Sequence, residues 1–149
     1  DFEVVTIISN NKIPKKIKSY VSQFYKSILI IEDQIKLQKK NFIDTDIIFS
    51  VGYMKVIEKS IIENFDVINL HPSILPTYKG LMTQKRMLIN NEKNFGFSLH
   101  KVSKELDEGE TISNKIRKIN TKDESELLYK HKNLEHEFVY KQFVDYLLS

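Results

Sequence analysis

Residues 67–80 read Val-Ile-Asn-Leu-His-Pro-Ser-Ile-Leu-Pro-Thr-Tyr-Lys-Gly, an apolar run that a proline breaks into a loop. In a β-strand the side chains alternate between the two faces, so Asn69 and His71 share one face while Ile68 and Leu70 share the other. An amide therefore lies beside an imidazole at the end of a strand, which is where open α/β sheets bind ligands. The competing explanation is that Asn69 and His71 only cap the strand end, and the rest of the chain decides between the two.

The chain before residue 67 alternates short apolar runs with amphipathic segments. Runs rich in β-branched residues predict strands over residues 3–9, 28–31 and 46–51. Helices are predicted over residues 15–25, 32–41 and 58–65, the first because apolar residues recur at helical spacing. This order predicts an α/β fold of Rossmann-like form, with an open, mainly parallel twisted sheet and helices on both faces.

The chain after residue 80 predicts two more strands and two more helices. A helix is expected over residues 83–90, with Met87 and Leu88 facing inward, and a strand over residues 96–102. Lysines and an arginine mark residues 111–119 as an exposed edge strand. Thr121 and Glu124 have the spacing of a capping box, which predicts a helix from there nearly to the end. Its inner stripe is expected to comprise Leu127, Leu128, Leu134, Phe138, Val139 and Tyr146.

The composition is that of a globular protein, with 41% hydrophobic and 29% charged residues in a chain of 149. One domain spanning residues 1–149 is expected at this length. The net charge of +3 is spread along the chain and gives no electrostatic argument for nucleic acid. No apolar run approaches the roughly 20 residues that a membrane span needs, and residues 1–5 lack the features of a signal peptide. A cytoplasmic chain that binds neither membrane nor nucleic acid is therefore expected by default.

Three segments of this chain resemble the signature of the folate-dependent formyltransferase family. The first is residues 69–76, Asn-Leu-His-Pro-Ser-Ile-Leu-Pro, followed by Lys79-Gly80. The second is Leu106-Asp107-Glu108-Gly109, and the third is residues 52–57, Gly-Tyr-Met-Lys-Val-Ile. Order and spacing agree across the three segments, and the resemblance extends over nearly the whole chain.

The resemblance implies a reaction and a set of site residues. The reaction is the transfer of a formyl group from 10-formyltetrahydrofolate, the co-substrate, to a primary amine of a small molecule. The implied catalytic residues are Asn69, His71 and Asp107. The residues implied for folate binding are Met54, Lys55, Val56, Ile57, Val102, Ser103, Glu105, Leu106 and Asp107. Those implied for the amine acceptor are Glu135, Asn69 and Leu70.

Within the family, the chain is most similar to the branch that formylates glycinamide ribonucleotide in purine biosynthesis. The likeness includes residues 8–10, residues 96–100 and Leu134-Glu135-His136, whose glutamate contacts the acceptor amine in that branch. From the residues alone, Glu135 is equally a structural partner of a lysine, because it lies at the flank of the buried helix stripe. A sugar-nucleotide N-formyltransferase and a degenerate, formyltransferase-like binding module stay open as alternatives. A monomer or a homodimer is expected.

The chemistry of formyl transfer suits Asn69, His71 and Asp107. The reaction passes through a tetrahedral intermediate, which needs hydrogen-bond donors for its oxyanion and a group to take the ammonium proton. Asn69 can donate from its amide and His71 from its ring, while Asp107 would orient His71 and stabilise its charged form. This set requires no metal, and the chain has no cysteine and four histidines without zinc-ligand spacing. His100 shares a strand face with Ser98 and is either a neighbour of Asp107 or a hydrogen-bonded core residue.

The chain departs from the family at its N-terminus. In the family, a strand and a glycine-rich turn that wraps the substrate phosphate come before the strand that corresponds to residues 3–9. This chain begins after that element, and its four glycines, at positions 52, 80, 96 and 109, form no phosphate-binding run. The expectation is an N-terminally shortened formyltransferase fold that binds a phosphorylated acceptor weakly.

Overall fold

A computed structural model of the chain describes residues 4–9, 12–13, 15–23, 27–31, 37–42 and 44–149. The strands are β1 (Val4–Ile8), β2 (Ser27–Ile31), β3 (Ile47–Val51), β4 (Asp66–His71), β5 (Asn94–Lys101) and β6 (Thr111–Lys118). The α-helices are α1 (Lys15–Val21), α2 (Lys59–Ile62), α3 (Thr83–Ile89), α4 (Glu124–Phe138) and α5 (Val144–Leu148). A 3₁₀-helix covers Lys39–Phe42, and a π-helical turn, Val139–Phe143, joins α4 to α5.

The strands form one sheet in the order β2-β1-β3-β4-β5-β6. The first four of these run parallel, whereas β5 is antiparallel to β4 and β6 is antiparallel to β5. This order confirms the predicted open, mainly parallel α/β sheet and adds that its last two strands reverse direction. It also confirms residues 111–118 as an edge strand. β4 lies at the boundary, with a parallel neighbour on one side and an antiparallel neighbour on the other.

Alternation along the strands divides the core into two layers, one on each face of the sheet. The first layer joins the strands to the C-terminal helices and includes Ile7, Phe49, Ile68, Leu70, Leu134, Phe138 and Phe143. Within it, the rings of Phe49 and Phe143 stack with their centroids 3.8 Å apart. The second layer joins the opposite face to α2 and the 3₁₀-helix and includes Ile8, Leu37, Phe42, Ile48, Ile61 and Val67. Helical segments therefore cover both faces of the sheet, as predicted.

Several predicted helix boundaries differ from the structure. The helix expected over residues 58–65 shrinks to α2, because the chain turns at residues 63–65 to enter β4. The helix expected over residues 15–25 ends at Val21. Of the helix expected over residues 32–41, residues 32–36 lie outside the described residues, and residues 39–42 form the 3₁₀-helix instead.

The capping box predicted at Thr121 and Glu124 is wrong, because the helix begins two residues later. Asp123 is the N-cap, and its carboxylate accepts a hydrogen bond from the backbone N–H of Glu126 at 2.8 Å. The hydroxyl of Thr121 instead accepts from the backbone N–H of Asp123 at 3.1 Å. An aspartate caps a helix at least as well as a threonine, and its negative charge also complements the helix dipole. Asp123, rather than Thr121, is therefore the N-cap of α4.

The inner stripe of α4 is narrower than predicted. Its buried members are Leu127, His131, Leu134 and Phe138, whereas Leu128 is 43% exposed. Neighbouring helix residues lie about 100° apart, so Leu128 points away from the sheet when Leu127 faces it. Tyr146 is only partly buried. The π-helical turn shifts the register of the helix before that residue and brings Phe143 and Val144 inward instead.

Candidate active site

The predicted site residues of β4 lie on the second face of the sheet, near the carboxyl end of the strand. Asn69 is paired in register with Ser50 of β3 and His100 of β5, and His71 is paired with Ser98. The side chains of Ile68 and Leu70 belong to the first core layer, on the opposite face. Leu70, implied for the acceptor, therefore offers a substrate on this face only its backbone.

His100 holds the amide of Asn69. The Asn69 nitrogen Nδ2 lies 3.2 Å from His100 Nε2, and His100 Nδ1 lies 2.9 Å from the carbonyl oxygen of Lys101. A carbonyl only accepts hydrogen bonds, so Nδ1 carries the proton of the neutral ring and Nε2 accepts from the amide. Burial lowers the pKa of His100, although the Lys101 carbonyl and the Asp107 charge oppose this. One N–H of Asn69 thus donates to a neutral His100.

His71 uses both ring nitrogens. Its Nε2 lies 2.9 Å from the carbonyl oxygen of Tyr78, and its Nδ1 lies 3.4 Å from Asp107 Oδ2. The ring of His71 is thus held between the Tyr78 carbonyl and the Asp107 carboxylate. Both of these groups accept hydrogen bonds, so whichever ring nitrogen carries a proton can donate to the oxygen beside it. The sequence suggested that the His71 ring can donate a hydrogen bond to the substrate. In the structure, Tyr78, which the loop after β4 returns to the ring, and Asp107 lie against its two nitrogens.

Asp107 joins the segments of the site. Its side chain is 9% exposed, Oδ2 accepts from the backbone N–H of Gly80 at 2.7 Å, and Oδ1 lies 3.7 Å from His100 Nε2. The residue has a left-handed φ of 54°, which aspartate tolerates better than most residues. Two positions on, a Cβ at Gly109 would lie 1.7 Å from the carbonyl oxygen of Lys101. Gly109 therefore permits the close return of this loop to β5, and Asp107 is carried over the same face as Asn69.

The loop between β4 and α3 is held by buried hydroxyl groups. The Ser73 hydroxyl lies 2.8 Å from the Thr77 carbonyl and 3.1 Å from the Tyr78 carbonyl, and can donate to either. Ser98 of β5 accepts from the backbone N–H of Leu75 at 2.9 Å. Sequence reasoning missed the part of Tyr78, because its carbonyl rather than its side chain meets His71. No residue-type signal could have revealed it.

The two segments implied for folate binding each border the second core layer. Ile57 and Val102 both pack against that layer, and the backbone N–H of Val102 donates to Val67 at 2.8 Å. The side chains of Met54, Val56 and Leu106 are 57%, 84% and 66% exposed. Lys55 and Glu105 are exposed, and the hydroxyl of Ser103 donates to the Glu105 carbonyl. Exposed apolar side chains beside a polar cluster are typical of a ligand-binding surface.

Glu135, implied for the acceptor amine, lies on α4, one turn after the buried His131. In the described part of the chain, no hydrogen bond or ion pair joins it to Asn69, His71 or Asp107. Burial raises the pKa of the Glu135 carboxyl to about 7, and the nearby Lys132 opposes this only in part. No ion pair within 4 Å supports the alternative lysine partner among the same residues. A partly buried carboxylate without a counter-ion is poised to take a cation or a proton.

The described residues contain no cluster of three histidine, aspartate or glutamate side chains that could hold a metal ion. Nor does that part of the chain form a helix long and apolar enough to cross a membrane.

Comparison with known proteins places this geometry in context. The family model described as formyl transferase matches residues 3–143. The bifunctional polymyxin resistance protein ArnA of Wigglesworthia glossinidia brevipalpis is 41% identical over 87 residues, which are 57% of this chain and 13% of that protein. Phosphoribosylglycinamide formyltransferase of Escherichia coli K12 is 35% identical over 69 residues, which are 45% of this chain and 32% of the enzyme. Methionyl-tRNA formyltransferase of Fusobacterium nucleatum is 31% identical over 109 residues, 72% of this chain and 33% of that enzyme. The matched stretches thus span a third or less of these relatives.

Solved structures share the fold. Phosphoribosylglycinamide formyltransferase of Campylobacter jejuni superposes with a TM-score of 0.77 at 19% identity, covering 97% of both chains. The formyltransferase PseJ of Anoxybacillus kamchatkensis, solved with UDP-4,6-dideoxy-4-formamido-L-AltNAc and tetrahydrofolate, superposes with a TM-score of 0.74 at 23% identity. That alignment covers 94% of this chain and 74% of PseJ.

Proposed function

Because this chain belongs to the formyl transferase family, we propose that it transfers a formyl group from 10-formyltetrahydrofolate to a primary amine. The observation that carries the proposal is the cluster of Asn69, His71, His100 and Asp107 on one face of the sheet. It contains an amide donor held by a neutral histidine and a second histidine paired with a carboxylate. These are the groups that acyl transfer to an amine requires.

In the proposed reaction the amine nitrogen attacks the formyl carbon, so that a C–N bond forms and the formyl oxygen becomes an oxyanion. The remaining N–H of Asn69 donates to that oxygen. Because His100 already holds the amide, little reorganisation is needed when the charge develops.

The pair of His71 and Asp107 acts as the general base and then as the general acid. It takes a proton from the attacking nitrogen and returns one to the folate nitrogen N10 as the bond from N10 to the formyl carbon breaks. The net change is one proton moved from the amine to N10, and the pair ends as it began. Asp107 can serve in this way because the Gly80 N–H fixes one of its oxygens while the carboxylate stays close to the ring.

The folate is proposed to bind at residues 54–57 and 102–107. Support comes from the exposed apolar side chains of Met54, Val56 and Leu106, against which the folate ring system could pack. Asp107, which belongs to the second of these segments, lies beside His71. The tetrahydrofolate complex of PseJ supports the choice of co-substrate.

The proposed acceptor is glycinamide ribonucleotide, and Glu135 is proposed to bind its amine. Similarity to the Escherichia coli phosphoribosylglycinamide enzyme supports this choice. An amino sugar nucleotide is the second candidate, because PseJ shares the fold and was solved with a formamido sugar nucleotide. Lys79 is a poor phosphate ligand in either case, since its ammonium group lies 2.6 Å from Glu108.

The test is an assay of the chain with 10-formyltetrahydrofolate and each of three acceptors: glycinamide ribonucleotide, a UDP-4-amino sugar and methionyl-tRNA. Mass spectrometry would identify the formylated product, and the variant Asn69→Ala would serve as the control. Formylation of glycinamide ribonucleotide alone supports the proposal in full, and formylation of the sugar supports the second candidate. Folate binding without transfer to any acceptor would identify a binding module and contradict the proposal.

A further inference from the structure

The loop between β4 and α3 has an unusual backbone. Three of its residues, Tyr78, Gly80 and Met82, have left-handed φ values of 58°, 77° and 56°. Two of the three are not glycine, and side chains at such positions are strained. The conformation therefore depends on contacts that hold it.

Arg86 of α3 supplies those contacts. Its Nη1 donates to the carbonyl oxygen of Lys79 at 2.6 Å and to that of Leu81 at 3.1 Å. Its guanidinium carbon lies 5.2 Å from the centre of the Tyr78 ring, within the range of a cation–π contact. Among the described residues, no carboxylate lies within ion-pair distance of Arg86. The guanidinium group of Arg86 therefore interacts with the backbone carbonyls of the loop.

The Tyr78 ring is also fixed at its far end. Its hydroxyl donates to Glu92 Oε1 at 2.6 Å and accepts from Asn90 Nδ2 at 2.9 Å. The ring thus lies between the guanidinium of Arg86 and the end of α3. The carbonyl of the same residue meets His71 Nε2.

One peptide group links Arg86 to the catalytic carboxylate. The carbonyl of the peptide between Lys79 and Gly80 accepts from Arg86, and its N–H donates to Asp107. A cation at the oxygen and an anion at the N–H polarise a peptide in the same direction, so each hydrogen bond strengthens the other.

On this basis we infer that Arg86 is a positioning residue, which holds Asp107 through the Lys79–Gly80 peptide and His71 through the Tyr78 carbonyl. The inference rests on the proposed function for its effect on turnover but not for its effect on the site. It assigns Arg86 no contact with either substrate. Its loss should therefore lower kcat more than it raises KM.

The experiment compares Arg86→Met and Arg86→Lys with Lys85→Met, which removes a neighbouring exposed cation of the same helix. With glycinamide ribonucleotide and 10-formyltetrahydrofolate, Arg86→Met should lower kcat about tenfold, because the charge-assisted hydrogen bonds to the Lys79 and Leu81 carbonyls are lost. Arg86→Lys keeps the charge but cannot bind both carbonyl oxygens in the same way. Its kcat should lie between that of Arg86→Met and that of the unaltered chain. Lys85→Met should change neither kcat nor KM. If Arg86→Met does not fold, Arg86→Lys carries the comparison.

A second readout needs no turnover. The amide proton of Gly80 should resonate downfield in the unaltered chain and move upfield in both Arg86 variants, but not in Lys85→Met. In Asp107→Asn the same shift should occur, and adding Arg86→Lys should change it little further. An unmoved Gly80 resonance in a folded Arg86 variant would overturn the inference, as would equal effects of the Lys85 control. If the unaltered chain transfers no formyl group, the proposed function fails while this resonance still decides the role of Arg86.

Discussion

Asn69 and His100 face each other across β4 and β5, with the amide nitrogen 3.2 Å from the ring nitrogen Nε2. The carbonyl of Lys101 fixes the ring tautomer from the other side. The histidine thereby fixes the orientation of the Asn69 amide in the chain without a ligand.

His100→Leu should lower kcat about tenfold, because Asn69 loses the acceptor that orients it. His100→Gln should retain more activity, since a glutamine oxygen can accept from the same amide. Steady-state kinetics of formyl transfer, with KM for the folate as a check on binding, would measure both. Equal losses in the two variants would show that His100 only fills space.

Asp107→Asn should lower kcat by about 10²–10⁴-fold, the usual contribution of a general acid–base group. Asparagine can still accept from the Gly80 N–H and tolerates the left-handed backbone, so the melting temperature should hardly change. Asp107→Ala should lose both activity and some stability, because the partly buried N–H of Gly80 would lose its partner. Kinetics and thermal unfolding of the two variants check this. Turnover of the asparagine variant within a few-fold of the unaltered chain would refute the catalytic role.

His131 should make the chain sensitive to acid. The side chain is 2% exposed, and within the described part of the chain neither ring nitrogen has a hydrogen-bond partner of good geometry. Burial lowers the pKa of His131 to about 4, although the Gly96 backbone opposes this. The unfolded chain binds a proton near pH 6.5, but the folded chain does not until about pH 4. The free energy of unfolding should therefore fall as pH falls through this window, by about 3 kcal/mol at most.

His131→Leu should remove that acid dependence and raise the free energy of unfolding at pH 7 by about 1–3 kcal/mol, because two unpaired polar atoms are lost. The Phe95 and Phe97 rings that contact His131 would accept an aliphatic side chain. Urea unfolding of both proteins at pH 7 and pH 5 would give the two differences. If the free energy of unfolding changes by the same amount between pH 7 and pH 5 in both proteins, His131 is not the source of the acid dependence.

Glu135 should act in the opposite direction. Burial raises its pKa from 4.5 to about 7, so the folded chain keeps a proton that the unfolded chain has lost. The free energy of unfolding should fall as pH rises from 4.5 to 7. Glu135→Gln should therefore be more stable at pH 8 by about 1–3 kcal/mol, with little change at pH 4.5.

The same variant should bind the amine acceptor more weakly, raising its KM while leaving that of the folate alone. Glu137→Gln is a suitable control, because this exposed carboxylate makes only surface ion pairs with Lys115 and Arg117. Equal stability of Glu135→Gln and the unaltered chain at pH 8 would argue that Glu135 is already neutralised.

Much of the fold could be predicted, because it depends on side-chain patterns. The apolar run from Asp46 to Val51 predicts a buried strand. The alternation around Asn69 and His71 likewise predicts which side chains face the core. The reversed direction of β5 and the π-helical turn could not be predicted, because neither changes a local pattern. The burial of His131 on the inner face of α4 was not predicted, because histidine is polar and does not count as an apolar residue in a helical pattern.

In the candidate site, the side chains could be predicted from the sequence, whereas the backbone groups that contact them could not. Asn69, His71 and Asp107 belong to recognisable motifs. The Tyr78 carbonyl and the Gly80 N–H carry no residue-type signal, so the engagement of both His71 nitrogens emerged only from the loop geometry.

The hairpin of β5 and β6 carries Asp107 in its connecting loop, and β6 is the last strand of the sheet, with no fully buried residue. The parallel strand β3, by contrast, is buried along its whole length. Opening of the edge strand costs less free energy than unfolding of the centre. Mild denaturation should therefore detach Asp107, the proposed catalytic carboxylate, while the parallel strands stay folded, so that the proposed activity is lost before the fold. Amide hydrogen exchange should accordingly be faster in β6 than in β3, and any formyl transfer by the chain should be lost as soon as this edge of the sheet opens.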